Sequence, residues 1–199
     1  MIEVLLIRPG STTFDREGRI KGALDIPLSA DGEAQAEALS RSLAEVKLDC
    51  LYVAPCESAL QSAARIGDRN FCRQKVLDCF RNLDHGLWQG KLVSEVRRLQ
   101  PKVYRQFQEH PTEICPPEGE TIQAAYERVK PMVEKLKKRH TNGHIGLVVP
   151  APLAAIVRVA LVGGSLGDLW KCELDFGTYE VLQVEPKAAV SSLSILAVL

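Results

Sequence analysis

The chain has no excess of charge of either sign. Its 199 residues include 25 Lys and Arg against 25 Asp and Glu, so the formal net charge at pH 7 is +0. General nucleic-acid binders usually carry a basic excess, so we expect no nucleic-acid partner. Hydrophobic residues make up 46% of the chain and charged residues 25%, values that are typical of a folded globular protein and argue against wholesale disorder.

Long apolar runs are also absent. No run approaches the roughly 20 residues that a membrane-spanning helix needs, and the first residues lack the features of a signal peptide. We therefore expect a cytoplasmic protein with no membrane partner. The apolar run at 193–199 is too short to span a membrane. It leaves homo-oligomerisation open, because such a run can add a strand to a sheet or form a patch that pairs with another chain.

Metal-ligand patterns are missing as well. No CxxC pair occurs, and the four histidines do not cluster with the cysteines. Without a secretion signal, scattered cysteines are expected to be reduced thiols, and we predict no metal site. Cys56 alone borders the predicted cleft, and a thiolate there would need a cationic neighbour such as Arg8. The six cysteines are Cys50, Cys56, Cys72, Cys79, Cys115 and Cys172.

Short apolar segments alternate with helical patterns along the chain. Strands are predicted at 2–7, 49–54, 76–79, 145–149, 179–184 and 193–199. Helices are predicted after Ser29, at 57–66, at 93–108 as two short helices, at 120–138 with a kink at Pro131, and at 153–161. Such alternation predicts an α/β fold, a three-layer sandwich with a mainly parallel sheet and helices on both faces. We expect one domain over 1–199, with 85–120 as a lid-like insertion.

Several short motifs follow one another in order. The first is Leu-Ile-Arg-Pro-Gly-Ser-Thr at 6–12, and further blocks lie at 18–22, 25–29, 52–55, 86–90, 117–121 and 147–149. Together they resemble the histidine phosphatase superfamily, in its phosphoglycerate mutase-like branch, whose first motif is Leu-hydrophobic-Arg-His-Gly-x-Thr. The resemblance covers roughly residues 2–160 and implies the same three-layer fold.

The resemblance implies a phosphomonoester hydrolase or phosphoglycerate mutase chemistry. In the family, a histidine after the first strand attacks a phosphoryl group and becomes phosphohistidine. A second histidine and two arginines hold the transferring group, and a glutamate handles the proton on the leaving oxygen. This route requires no metal and no cofactor.

Four of the five central groups of that family are replaced here. Arg8 matches the first arginine, but the nucleophile position is Pro9. The second arginine, the glutamate and the second histidine fall at Ser58, Asn82 and Ala151. Proline has no lone pair available for phosphoryl attack, and no other residue of this set supplies an imidazole or a second guanidinium. We therefore predict a pseudoenzyme that has lost phosphoryl transfer.

Two alternatives stay open. One is a weak or divergent phosphatase that acts on small phosphate esters through His85, Asp84 or an activated water. The other is an assembly or interaction subunit with an unused cleft. His85 is the fallback nucleophile because the other three histidines lie in poorer places: His144 at the far end of its strand, His140 at a helix end that favours the helix dipole, and His110 in a surface loop.

The remaining positive groups predict an anion site. We expect Arg8, Arg19, Thr12 and Lys21 to bind a small phosphorylated or anionic ligand at Arg8. Arginine suits this role because its planar fork meets two oxygens at once. Asp15 stands where the family has an asparagine, and its carboxylate would repel a phosphate placed close to it.

Overall fold

A single sheet organises the chain. The computed structural model describes residues 1–169 and 175–186, and within these the strands are β1 (Ile2–Ile7), β2 (Cys50–Val53), β3 (Arg73–Val76), β4 (His144–Val148) and β5 (Tyr179–Val184). Their order is β3-β2-β4-β1-β5. The first four strands pair in parallel, and β5 runs antiparallel to β1. The predicted mainly parallel sheet is confirmed.

Helical pairs cover the sheet. The helices are α1 (Thr13–Glu17), α2 (Ala30–Ser42), α3 (Glu57–Asn70), α4 (Val93–Leu99), α5 (Pro101–Glu109), α6 (Ile122–Arg139) and α7 (Leu153–Val162). Helix α2 packs against α3, and α6 packs against α7. Tyr52 of β2 meets the end of α6, so the α6–α7 pair covers the face of the sheet that Tyr52 points to. The predicted α/β class is therefore correct.

Local signals explain where several helices begin and end. The Ser29 side chain accepts a hydrogen bond from the Gly32 amide, as expected of an N-cap. Helix α3 continues four residues beyond its predicted end. Its last residue, Asn70, donates to the backbone carbonyls of Leu43 and Val46, and this contact ties the ends of α2 and α3 together. Helix α6 contains Pro131.

The strand predicted at 76–79 is wrong. Strand β3 spans Arg73–Val76, and a 3₁₀ turn follows at Asp78–Phe80. The strand was misplaced because β3 lies at the edge of the sheet and is mostly polar and exposed, so it lacks the apolar run that marks interior strands. The strand predicted at 193–199 lies outside the described residues, and the homo-oligomer that it allowed stays a prediction.

The interior strands bring three chain exits together. Strands β1 and β4 are almost wholly buried, as parallel strands covered on both faces are expected to be. Each of the strands β1, β2 and β4 is followed by a proline two residues after its last residue, at Pro9, Pro55 and Pro150. Since parallel strands end at one edge, these three loops leave the sheet side by side.

The segment 85–120 contains the two predicted short helices. Helices α4 and α5 meet at Gln100, and Pro101 opens the second one, a position that proline favours. Trp88 and Phe107 pack edge to face with ring centroids 5.8 Å apart. The lid-like role of this segment stays a prediction.

Among the described residues, no helix combines the length and apolar character required to cross a membrane. The compartment expected from the sequence stays a prediction.

Candidate functional site

A cavity of about 240 Å³ opens at the carboxyl edge of the sheet. Its lining includes Ser58 from the first turn of α3, Asn82 from the loop after the 3₁₀ turn, and Pro150 from the loop after β4. Ala151 follows Pro150 directly, and its carbonyl accepts a hydrogen bond from Asn82. Three of the positions that the resemblance assigns to catalytic groups therefore meet here.

The fourth position, Pro9, is held close to the same helix turn. The Gly10 amide donates to the Ser62 hydroxyl at 3.2 Å, and that hydroxyl donates to the Ser58 carbonyl at 2.8 Å. Gly10 also lies against the backbone of α2. A side chain does not fit there, because a Cβ at Gly10 would lie 2.2 Å from the Gly32 carbonyl oxygen. The end of β1 is thus fastened to the first turns of α2 and α3.

Asn82 is engaged with backbone groups on both sides of the cavity. Its Nδ2 donates to the Gly22 carbonyl at 2.9 Å and to the Ala151 carbonyl at 3.1 Å. Its Oδ1 accepts from the Leu153 amide at 3.3 Å. A carboxamide can donate and accept in this way, whereas an ionised glutamate can only accept. The side chain therefore acts as a clamp between two loops.

Lys21 lines the cavity, but its charge is paired. Its Nζ lies 2.8 Å from Asp15 Oδ2, and both side chains are mostly buried. The same carboxylate oxygen accepts from the backbone amide and the hydroxyl of Thr12, each at 2.7 Å. The Thr12 side chain is fully buried, and both donors of the residue are directed to Asp15 as part of the cap of α1. This geometry does not favour the anion-binding role of Thr12, which stays a prediction.

The two arginines of the predicted anion site do not line this cavity. The Arg8 guanidinium carbon lies 3.6 Å from the centroid of the Phe176 ring, a close cation–π stack. Arg19 donates from Nε to Glu17 at 2.6 Å and from Nη1 to the Gly90 carbonyl at 2.8 Å. The structure does not support Arg19 as an anion ligand, because its donors tie the loop after α1 to the loop before α4.

Two charged residues of the cavity were missed from the sequence. Arg81 and Asp78 both contribute to the lining, with 3.5 Å between Arg81 Nη1 and Asp78 Oδ2. Asp78 lies inside the 3₁₀ turn that was predicted as part of a strand. A prediction of a turn at Asp78–Phe80 would have placed the side chains of Asp78 and Arg81 at the carboxyl edge of the sheet.

A buried ion pair fixes the loop that carries Asn82. Arg128 of α6 binds Glu120 with both prongs of its fork, at 2.7 Å and 2.8 Å. It also donates to the carbonyls of Cys79 at 2.6 Å and Asn82 at 3.3 Å. Charge-assisted bidentate pairs combine strength with fixed geometry. The Arg128–Glu120 pair therefore fixes the backbone of the loop that carries Asn82.

None of the four histidines lines the cavity. His85 is only 4% exposed, its Nδ1 lies 3.2 Å from the Leu83 carbonyl oxygen, and its ring packs near Phe107. Burial lowers the pKa of His85 to about 4. The structure therefore places the fallback nucleophile in the protein interior, where the sequence predicted a place near the cleft.

The other histidines serve local contacts. His144 lies 2.8 Å from Glu3 at the start of β4, at the opposite end of the strand from the cavity, as predicted. His110 is exposed after α5, also as predicted. His140 does end α6, but its Nε2 lies 2.8 Å from the Tyr52 hydroxyl, so its ring packs on the sheet in addition to any interaction with the helix dipole.

Cys56 is the thiol of the cavity. Burial raises its pKa, and nearby Lys21 offsets only part of that effect. The cationic neighbour is thus Lys21, where the sequence pointed to Arg8, and the thiol stays protonated near neutral pH. Within the described part of the chain, no group of three or more Cys, His, Asp or Glu is arranged to hold a metal ion.

A match to a family model identifies the class to which the protein belongs. The family model of the histidine phosphatase superfamily (branch 1) matches residues 4–194, so the chain belongs to that superfamily. The resemblance seen in the sequence motifs is confirmed.

The chain is similar in sequence to two curated proteins and in fold to a solved structure. The chain is 30% identical over 190 residues to phosphoserine phosphatase 1 of Hydrogenobacter thermophilus, covering 96% of this chain and 90% of that protein. It is 26% identical over 149 residues to phosphoglycerate mutase-like protein 4 of Arabidopsis thaliana, covering 73% and 65%. The solved structure of mycobacterial glucosyl-3-phosphoglycerate phosphatase with VO3 superposes with a TM-score of 0.82 at 22% identity, covering 91% and 90%. This last likeness concerns the fold.

Proposed function

We propose that this chain is a histidine phosphatase superfamily member that no longer transfers phosphoryl groups, and that its cavity serves binding. The observation that supports this most directly is the lining of the cavity: Ser58 and Asn82 face it, and none of the four histidines does. Phosphoryl transfer through phosphohistidine needs an imidazole lone pair aimed at the phosphorus. It also needs fixed cationic donors for the developing charge.

The electrostatics of the cavity favour the same proposal. Lys21 is paired with Asp15 at 2.8 Å, and Arg81 lies near Asp78. Paired charges attract an added anion less than free ones do, because the carboxylate already compensates the ammonium or guanidinium. The proposed ligand is a small phosphorylated or anionic compound that contacts Lys21 and Arg81 and is bound weakly, because it competes with Asp15 and Asp78 for these two charges. A contact between Arg8 and this ligand stays a prediction.

The test is a search for turnover and for a phosphorylated protein. We expect background rates with phosphoserine, 3-phosphoglycerate and p-nitrophenyl phosphate, and no phosphorylated species by mass spectrometry. Wild-type turnover that Arg8→Ala abolishes would refute the proposal, as would a phosphohistidine formed during turnover.

A restored variant provides the positive control. The combination Pro9→His, Ser58→Arg, Asn82→Glu and Ala151→His returns the family groups to their positions. We expect measurable but incomplete phosphatase activity, because the surrounding contacts also position a catalytic group. The Asn82→Glu step removes the clamp between the Gly22 and Ala151 carbonyls, so the variant's melting temperature must be measured beside its activity.

A weak phosphatase is the second candidate. The 30% identity to a protein named phosphoserine phosphatase 1 favours it. Its nucleophile would be a water activated by Asp84 or the His85 imidazole, although the Asp84 carboxylate already accepts from the Gly86 amide at 2.8 Å. In this case phosphoserine is hydrolysed above background, and Asp84→Asn or His85→Ala removes that activity while the fold is retained.

A further inference from the structure

Basic side chains from two elements converge on the face of the sheet covered by α6. Lys75 of β3 places its Nζ 5.9 Å from the centroid of the Tyr52 ring. His140, at the end of α6, lies 2.8 Å from the Tyr52 hydroxyl. Arg73 shares the face of β3 with Lys75 because side chains alternate along a strand, and Arg139 lies close enough to act on both His140 and Tyr52. We name Arg73, Lys75, Arg139 and His140 the basic corner.

The positive charge of the basic corner is not balanced locally. In the part of the chain that the structure describes, no carboxylate lies within ion-pair distance of Arg73, Lys75 or Arg139. Asp49 is the acidic group that acts on His140, and its Oδ2 already accepts from the His144 amide at 3.1 Å. Three permanent positive charges against one negative charge leave a local excess of two.

The charges of the basic corner act on its imidazole and on the Tyr52 hydroxyl. Burial lowers the pKa of His140, and Arg139 and Lys75 lower it further, while Asp49 opposes them. Arg139 and Arg73 also act on Tyr52, whose pKa burial raises to about 12. A bound anion would relieve this repulsion, since it favours the protonated imidazole.

Protection of a sheet edge explains only part of this arrangement. Strand β3 is the edge strand, and Lys or Arg on an exposed edge discourages pairing with another chain. That accounts for exposed Arg73. It does not account for Lys75, which is half-buried against Tyr52, or for Arg139 and His140, which come from α6.

We propose that the basic corner binds a dianionic phosphate group, either as inorganic phosphate or as a phosphate monoester. Its excess of two positive charges matches a dianion, and guanidinium forks suit phosphate oxygens. None of its four residues lines the cavity. The proposal therefore does not depend on whether the cavity has kept or lost phosphoryl transfer.

The experiment follows the His140 ring proton by NMR in the intact chain. Its pH titration is recorded in sodium phosphate and in sodium chloride at equal ionic strength. We expect phosphate to move the His140 midpoint upward and to leave the resonance of exposed His110 unchanged. A second titration replaces inorganic phosphate with phosphoserine. If phosphoserine saturates the His140 shift at a lower concentration than inorganic phosphate does, the ligand is a phosphate monoester. If only inorganic phosphate saturates the shift, the ligand is the free ion.

Matched variants locate the site. Lys75→Gln and Arg139→Gln should each weaken phosphate binding about tenfold, the change expected for loss of one charge-assisted contact. Arg98→Gln, on exposed α4, should leave binding unchanged. A His140 midpoint that is the same in phosphate and chloride overturns the proposal and leaves edge protection as the role of these charges. The proposal is also overturned if phosphate shifts the midpoint of His110 as much as that of His140. It is overturned as well if Lys75→Gln and Arg139→Gln both keep the full shift of the His140 midpoint.

Discussion

The interior of the sheet and the cavity at its edge are held together by different forces. Apart from Glu3 and His144, strands β1 and β4 consist of apolar residues and glycine that are buried, and apolar burial stabilises them at roughly 25 cal/mol per Å². The cavity wall depends on hydrogen bonds and ion pairs, such as Asn82 with Ala151 and Arg128 with Glu120. The family fold can therefore persist while the groups that face the cavity change, because the two regions do not share their stabilising contacts.

The largest expected effect lies in the interior. Leu147→Ala leaves a hole in β4 at a residue with no exposed surface, and such truncations reduce the free energy of unfolding by about 2–5 kcal/mol. Ser58→Ala at the cavity should change it by less than about 1 kcal/mol, as surface-lining hydroxyls with weak contacts do. Urea unfolding of both variants measures the difference. Equal losses would break the comparison.

A polar group inside the interior makes stability depend on pH. The pKa of buried His85 is lowered to about 4, from 6.5 in the unfolded chain. Since the unfolded state binds the proton more readily, stability is fully present above pH 6.5 and falls as the pH drops toward 4, by on the order of 3 kcal/mol in total. Unfolding at pH 7.5 and pH 4.5 tests this. His85→Gln should show a shallower loss, and an unchanged loss would argue against His85 as the source.

The ion pair behind the cavity wall should rank next. Arg128→Ala removes the closer of two cationic partners of the largely buried Glu120 and leaves only Arg81, at 3.9 Å. We expect a loss of about 2–3 kcal/mol, since breaking a buried pair is costly. Arg128→Lys keeps the charge but not the fork, so its loss should be smaller. Thermal unfolding of both variants provides the ranking. If Arg128→Ala is neutral, the pair does not support the wall.

Loss of the clamp at Asn82 should reduce stability by less than loss of the ion pair. Asn82→Ala leaves the Gly22 and Ala151 carbonyls without their donor, at a cost of about 1–2 kcal/mol. Asn82→Asp replaces the amide donors with an acceptor and should cost at least as much. Chemical denaturation measures both. A stability gain in Asn82→Asp would show that the clamp is not what holds the two loops.

Prediction from the sequence succeeded where the signal is local. The apolar run of β1 and the Ser29 cap of α2 are read from neighbouring residues, and both are confirmed. It failed where partners are distant in the chain. Arg19 binds the carbonyl of Gly90, which is 71 positions away, and nothing near Arg19 indicates that contact. The predicted position of edge strand β3 was wrong for a related reason. Its own residues carry no apolar run, and it is defined by its pairing with β2.

The candidate site shows the same division. The motif order predicts that Pro9, Ser58, Asn82 and Ala151 occupy the catalytic positions of the family, and this assignment stays a prediction. The structure does bring the four residues to one edge of the sheet. The motif order was not enough to show that Thr12 would donate to Asp15 or that His85 would lie in the interior. Side-chain partners depend on loop packing, which motif spacing does not encode.

The residue order alone determined the family and the alternation of strands and helices, and it predicts that Pro9 stands in place of the nucleophile. These properties follow from composition and short-range pattern, which each segment carries by itself. Only the tertiary structure decided which charges are paired, which histidines are buried, and which basic side chains lie near Tyr52 and His140. The reason is physical: Coulomb interactions and desolvation depend on distances through space, and folding brings together residues far apart in the chain.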